Sequence, residues 1–230
     1  MPEIDAIAQS LAVELKKHRA DYLEARLEES QTSHITYRGK GLESIGRSTA
    51  SGGNVRALVK GGWGFTSFND LDKLSDRISL AVEQAQSTGR SKSQLAHSES
   101  VVDSIPSGVA KNPVTIPLAE KKRLLDEYNE IIWSTPQIQT STIGCSDSSK
   151  KVIFLNSEGS FITQERADVT LRLTAIAAKD GEVQQVGLSL GSRGDFNAIQ
   201  GLHKQVKEMS SKAVALLSAP QAKGGEYTVV

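Results

Sequence analysis

Hydrophobic positions recur along this chain with two periods, and the order of the periods repeats. Over residues 2–18, Ile4, Ile7, Ala8, Leu11 and Leu15 fall three or four apart, on one face of a helix. From residue 22 the spacing drops to two. Leu23, Ala25 and Leu27 alternate with Glu24, Arg26 and Glu28, as in a strand with one buried face. Further strands are predicted over 33–37, 42–45, 55–59 and 63–68, with turns at Arg38-Gly39-Lys40-Gly41 and Lys60-Gly61-Gly62. The connections are too short for parallel crossovers, so an antiparallel meander of about five strands is expected. Helical spacing returns over 71–86 through Leu71, Leu74, Ile78, Ala81, Val82 and Ala85, with Asn69 or Asp70 as N-cap and Thr88-Gly89 as the stop.

The same succession follows once more. Residues 90–116 are Ser-rich, hold Pro106 and Pro113, and read as a linker or surface loop. Pro117 opens a helix over 117–134, where Leu118, Leu125, Tyr128 and Ile132 align with the stem of Lys121. Residues 137–144 form a polar strand, a candidate sheet edge. Ser146-Asp147-Ser148 reads as a turn, and 152–155 and 161–163 as a hairpin. Val169, Leu171, Leu173, Ala175 and Ala177 make a long amphipathic strand that turns at Asp180-Gly181 into 183–190. Leu202, Val206, Met209, Ala213 and Leu216 mark a last helix, and 227–230 begin a strand. The predicted class is α+β, with two successive helix–antiparallel sheet–helix units and mostly antiparallel strands. The boundaries are 1–89 for the first unit, 90–116 for the linker, 117–220 for the central unit and 221–230 for a segment beyond it.

Composition narrows the function. Lys+Arg number 27 and Asp+Glu 27, so no overall field attracts nucleic acid or anionic membrane. Cys145 is the sole cysteine, which fits a reducing, cytoplasmic setting. No apolar run approaches the roughly 18 residues of a membrane helix.

Candidate chemistry is sparse. The four histidines are His18, His34, His97 and His203, and the two nearest, His18 and His34, lie 16 positions apart. A zinc site needs three protein ligands, supplied most simply by histidines one helical turn apart. Cys145 has no histidine near it in sequence to act as its base. Glu28 and Glu29 are adjacent in a strand and point to opposite faces. No catalytic, cofactor-binding or metal-binding residue is therefore assigned, and each histidine has a plainer reading. His18 and His203 are solvated helix residues, His34 a strand residue, and His97 a loop residue beside Ser98-Glu99-Ser100.

The stretch 52–70, Gly-Gly-Asn-Val-Arg-Ala-Leu-Val-Lys-Gly-Gly-Trp-Gly-Phe-Thr-Ser-Phe-Asn-Asp, reads as strand, tight turn, aromatic strand and capped helix, with Trp63 as a core anchor. Its glycines fit neither phosphate-binding pattern. This stretch resembles the N-terminal region of the TldD/PmbA family of zinc metallopeptidases, also described as modulators of DNA gyrase. Asp21-Tyr22-Leu23-Glu24-Ala25-Arg26-Leu27-Glu28 is similar to the family's first strand, and Asn156-Ser157-Glu158-Gly159 to its central turn. Gly225-Glu226-Tyr227-Thr228-Val229-Val230 resembles the strand leading into its metal-binding half, with the TldD branch slightly preferred. The resemblance implies an N-terminal, non-metal-binding portion of a peptidase acting on extended peptides. It implies a cytoplasmic homo- or hetero-dimer with a family member, with zinc held through a His-Glu-x-x-x-His helix that these 230 residues do not contain. The chain alone is expected to be inactive, to hold no cofactor and to bind neither nucleic acid nor membrane. The alternative is a stand-alone, non-catalytic module that binds peptide or a partner.

Overall fold

The structure is a computed structural model that describes residues 4–89, 95–220, 224–226 and 228. Its frame is one seven-stranded sheet. The strands are β1 (Tyr22–Arg38), β2 (Gly41–Val59), β3 (Gly62–Phe68), β4 (Val102–Ile105), β5 (Ile138–Asn156), β6 (Phe161–Lys179) and β7 (Glu182–Ser192). Their order across the sheet is β3-β2-β1-β5-β6, with β4 and β7 both on the far side of β6. Every pairing is antiparallel except β4 with β6, which is parallel. The helices are α1 (Ile4–Leu15), α2 (Leu74–Thr88), α3 (Leu118–Trp133) and α4 (His203–Leu216). The α+β class and its mostly antiparallel sheet are as the sequence predicts.

All four helices lie on one face. Leu23, Ala25, Leu27, Ile35 and Tyr37 are the apolar odd positions of β1, and all point to that side. The first three pack with α1 and α2, the last two with α3 and α4. Two apolar cores thus sit side by side under one sheet. The first is built on Leu11, Ile78, Val55 and Ile153; the second on Leu125, Tyr128, Ile143 and Leu171.

The strands are longer than their apolar patterns. β1 is one strand of 17 residues where two are expected, and β2 is one of 19 through Gly46–Asn54. The first unit therefore holds three strands, not about five. Likewise β5 runs unbroken for 19 residues, through the Ser146-Asp147-Ser148 expected to turn. The physical reason is the same throughout. These segments span the gap between the two cores, where no helix demands an apolar residue, so the alternation fades while the hydrogen-bond ladder continues. From Thr142 onward β5 lies between β1 and β6, whereas residues 138–141 run past the end of β1 and pair with β6, with the Gly39 N–H donating to the Ser141 carbonyl on the other side.

The tight turns are as expected. Lys60 and Gly61 both have positive φ, 49° and 79°, as do Asp180 and Gly181, at 51° and 87°. The α2 cap differs. Helix α2 begins at Leu74 after Lys73 in the left-handed region, while Asp70 Oδ1 accepts from the Asp72 N–H in a local turn. The stretch after 94 also contains β4, whose parallel pairing with β6 joins residues about sixty positions apart, beyond the reach of local pattern. The expected strand at 227–230 lies outside the described residues, apart from Thr228, which stands in no element.

Candidate functional site

Trp63 does not anchor the core. In β3 the residues facing α2 are Gly62, Gly64, Thr66 and Phe68; Trp63 and Phe65 point the other way and are 39% and 53% exposed. A Cβ at Gly62 would overlap the carbonyl oxygen of Ala85, and one at Gly64 that of Ala81. The glycines therefore admit the backbone of α2 against the strand. Their purpose is close packing, and it pushes the intervening aromatics to the opposite face.

That opposite face is the surface of the sheet that carries no helix. At the β3 end, the Arg56 guanidinium lies 4.8 Å over the Trp63 ring, and Tyr22 meets Trp63 edge-on at 6.3 Å. Burial pushes the Tyr22 hydroxyl up to about 12. Inward from this ledge runs a ladder of ion pairs. Arg56 pairs with Glu24 at 2.9 Å, Lys150 with Glu28 at 2.6 Å and Arg166 with Asp168 at 2.7 Å. A shallow cleft of about 300 Å³ opens beside it, lined by Arg26, Glu28, Ser30, Asn54, Ser67 and Asn69. Such a surface offers alternating donors and acceptors and one aromatic shelf.

On the helix-facing side, between the two cores, lies a second polar group. Lys121 Nζ donates to Asp147 Oδ2 at 2.5 Å and to Ser33 Oγ at 2.7 Å, and Ser33 Oγ donates to the same carboxylate oxygen at 2.7 Å. The Lys121 and Asp147 side chains are each 1% exposed. Asp147 Oδ1 has no hydrogen-bond partner among the described residues. Nearby, Arg47 Nη2 donates to the carbonyls of Val114 and Ile116, at 2.9 and 3.3 Å, tying the 112–116 segment across the sheet. A hydroxyl beside an amine resembles a nucleophile with its base. Here both are enclosed, so no substrate atom reaches them, and the group joins α3 to β1 and β5. The sequence supplies its signal, a lysine on the apolar stripe of α3, but its partner sits in a segment that imitates a turn.

The histidines stand on separate elements. His18 lies 3.7 Å from Glu14 and is 17% exposed, less solvated than a helix end suggests. His34 projects from the open face over Gly46. His97 borders a cleft with Glu99 and Glu158. His203 Nε2 lies 2.9 Å from Glu127, with its ring edge-on to Tyr128. Among the described residues, no three His, Cys, Asp or Glu side chains stand together as a metal would need. The donor set here therefore does not fit a zinc ion. Cys145 is buried, and that burial, with the Asp147 charge adding to it, pushes its thiol up to about 12. It is a core residue with negligible thiolate. Glu28 and Glu29 do face opposite sides, Glu28 toward Lys150 on the open face.

Against known proteins, residues 23–87 match the family model described as PmbA/TldA metallopeptidase domain 1, and residues 111–217 match PmbA/TldA metallopeptidase central domain. Metalloprotease slr0863 of Synechocystis sp. is 35% identical over 215 residues, covering 92% of this chain and 46% of that protein. A protein of Methanothermobacter thermautotrophicus named Metalloprotease is 28% identical over 214 residues, covering 92% and 47%. Among solved structures, TldE from Thermococcus kodakarensis superposes with a TM-score of 0.66 at 14% identity, covering 92% of this chain and 47% of that one. A Thermotoga maritima protein described as a modulator of a DNA gyrase gives 0.69 at 16% identity, covering 97% and 50%. The chain thus spans about half the length of the relatives it matches. Matched in order by two successive domain models over most of its length, it belongs to the PmbA/TldD metallopeptidase family.

Proposed function

We propose that this chain is the N-terminal, non-metal-binding portion of a zinc metallopeptidase that hydrolyses extended peptides, and that it contributes a wall of the substrate cleft and contacts within a cytoplasmic dimer of family members. The observation that carries this reading is the ordered match to the family's first and central metallopeptidase domains. Zinc, in this reading, is held by residues outside those matched here. In this reading the open face is the part presented to an extended polypeptide. Its ion pairs and hydroxyls are solvated and interchangeable with a peptide's own polar groups, and the Trp63–Arg56 ledge accepts an apolar side chain.

A chimera tests this. The chain would replace the corresponding segment of the Synechocystis relative, and zinc-dependent hydrolysis of an unstructured polypeptide would be measured. Retained hydrolysis, lost on replacing Trp63 and Arg56 with Ala, supports the reading. A folded, zinc-loaded chimera that hydrolyses nothing counts against it and favours a non-catalytic binding module.

A further inference from the structure

The two lateral edges of the sheet are finished differently. At the β3 edge, helix α2 covers the strand. The Phe65 N–H donates to Gln84 Oε1 at 3.1 Å, and Thr88 Oγ1 lies 3.1 Å from the Trp63 carbonyl. At the other edge, β7 runs for 11 residues, and among the described residues only β6 bonds to its backbone. Its alternate N–H and C=O groups point away from the sheet with none of the usual protections. It is long, has no proline and carries no charge from Val183 to Ser192. The neighbouring β4 is only four residues long, which protects it by brevity.

We propose that the free edge of β7 is a self-complementary docking edge, on which a second copy of this chain pairs its own β7 antiparallel about a twofold axis at Gly187. The register follows from the faces. Val186, Leu188 and Leu190 pack on the helix-facing core, while Gln185, Gly187 and Ser189 are exposed. Pairing about Gly187 sets Val186 opposite Leu188, Gln184 opposite Leu190, and Gln185 opposite Ser189, so each row meets its own kind. A slip of one residue would set the helix-facing row against the open one. The ends are complementary as well. The hairpin end carries Asp180 and Glu182 beside Lys179, and Arg193 follows the other end. Antiparallel pairing brings the Arg193 end of one copy to the Asp180–Glu182 end of the other; parallel pairing would join like ends. This gives a place to the dimer contact of the proposed function, and it stands on the geometry of β7 alone.

The test uses exposed open-face positions directly opposite each other in this register. In Q185E/S189E, two acidic pairs face each other across the axis. In Q185K/S189E, the same positions become two opposite-charge pairs. Arg172 lies beside residue 189 in both, so the environment within each chain is matched. Sedimentation equilibrium of the 230-residue chain and both variants, each checked for an unchanged melting curve, reads the result. The unmodified chain should dimerise, Q185E/S189E should weaken the dimer about tenfold or more, and Q185K/S189E should restore it. G187C should form an intermolecular disulfide under mild oxidation and G191C should not; Cys145 is buried and does not compete. A dimer that ignores both charge pairs overturns the β7 edge while leaving the dimer reading intact. A chain monomeric at every concentration overturns the β7 edge.

Discussion

Strands β1 and β5 carry charges on both faces, and the two sets are in opposite physical states. On the open face, Glu28 and Lys150 pair at 2.6 Å with side chains 34% and 44% exposed. On the helix-facing side, Lys121 and Asp147 pair at 2.5 Å with both side chains 1% exposed. The chemistry is the same, but the medium is not. Water solvates each open-face ion when its partner is absent, so such a pair contributes little. Neither ion of the enclosed pair has that alternative. An ion pair's importance is therefore set by which face of the strand it occupies, and that follows from residue parity.

The largest expected effect breaks the enclosed pair. Asp147→Asn leaves the Lys121 ammonium buried without a counter-charge and should cost about 3–5 kcal/mol in denaturant unfolding. Replacing both partners, Lys121→Met with Asp147→Leu, should recover most of that loss, because the desolvation of both ions disappears together. If the double variant is as unstable as the single one, the group is held by something other than charge pairing. Next comes Gly64→Ala, which drives a methyl into the Ala81 carbonyl oxygen and should cost about 3 kcal/mol while separating α2 from β3. It distinguishes a packing glycine from a turn glycine, since Gly181→Ala meets only the strain of its positive φ, about 1 kcal/mol.

A third effect follows from enclosed acids. Burial pushes the Cys145 thiol up to about 12 from an ordinary 9.0. Burial, together with a hydrogen bond to Asp126, pushes the Tyr37 hydroxyl up from 10.0. A raised acid keeps its proton in the folded chain after the unfolded chain has released it. Above about pH 9 the folded state binds more protons, so stability should fall as pH rises through the folded values, and be fully present below. Cys145→Ala should make that alkaline decline shallower when melting is followed across the range. The smallest effect sharpens the comparison from its other side. Lys150→Ala on the open face should change stability by less than about 1 kcal/mol, and less still at high salt.

Much of this was legible in the alternation of Leu23, Ala25 and Leu27 and in the helical spacing of Ile78, Ala81, Val82 and Ala85, because a core lies directly beneath them. The glycine-bearing turns were legible because a positive φ selects the residue. The middles of the long strands were not, since between two cores neither face must be apolar and the pattern loses its period. Asp147 illustrates the cost. Between two serines it imitates a turn, and only the pairing of β1 with β5 brings it to Ser33, 114 positions away. Trp63 misled for a related reason. A large aromatic suggests a core, but Gly62 and Gly64 claim the core-facing side for α2. Of the open-face ion pairs, Arg166–Asp168 lies within β6, but Arg56–Glu24 and Lys150–Glu28 join different strands, so sequence proximity could not join them.

The central claim is that this portion of the family's architecture forms a scaffold and does not itself hold the metal. Zinc titration of the folded 230-residue chain by calorimetry, with metal content measured after dialysis, tests it most directly. The account predicts weak, non-stoichiometric uptake, unchanged when His97 and His203 are replaced by Ala. One tightly held zinc per chain, lost on replacing any of the four histidines, would contradict it.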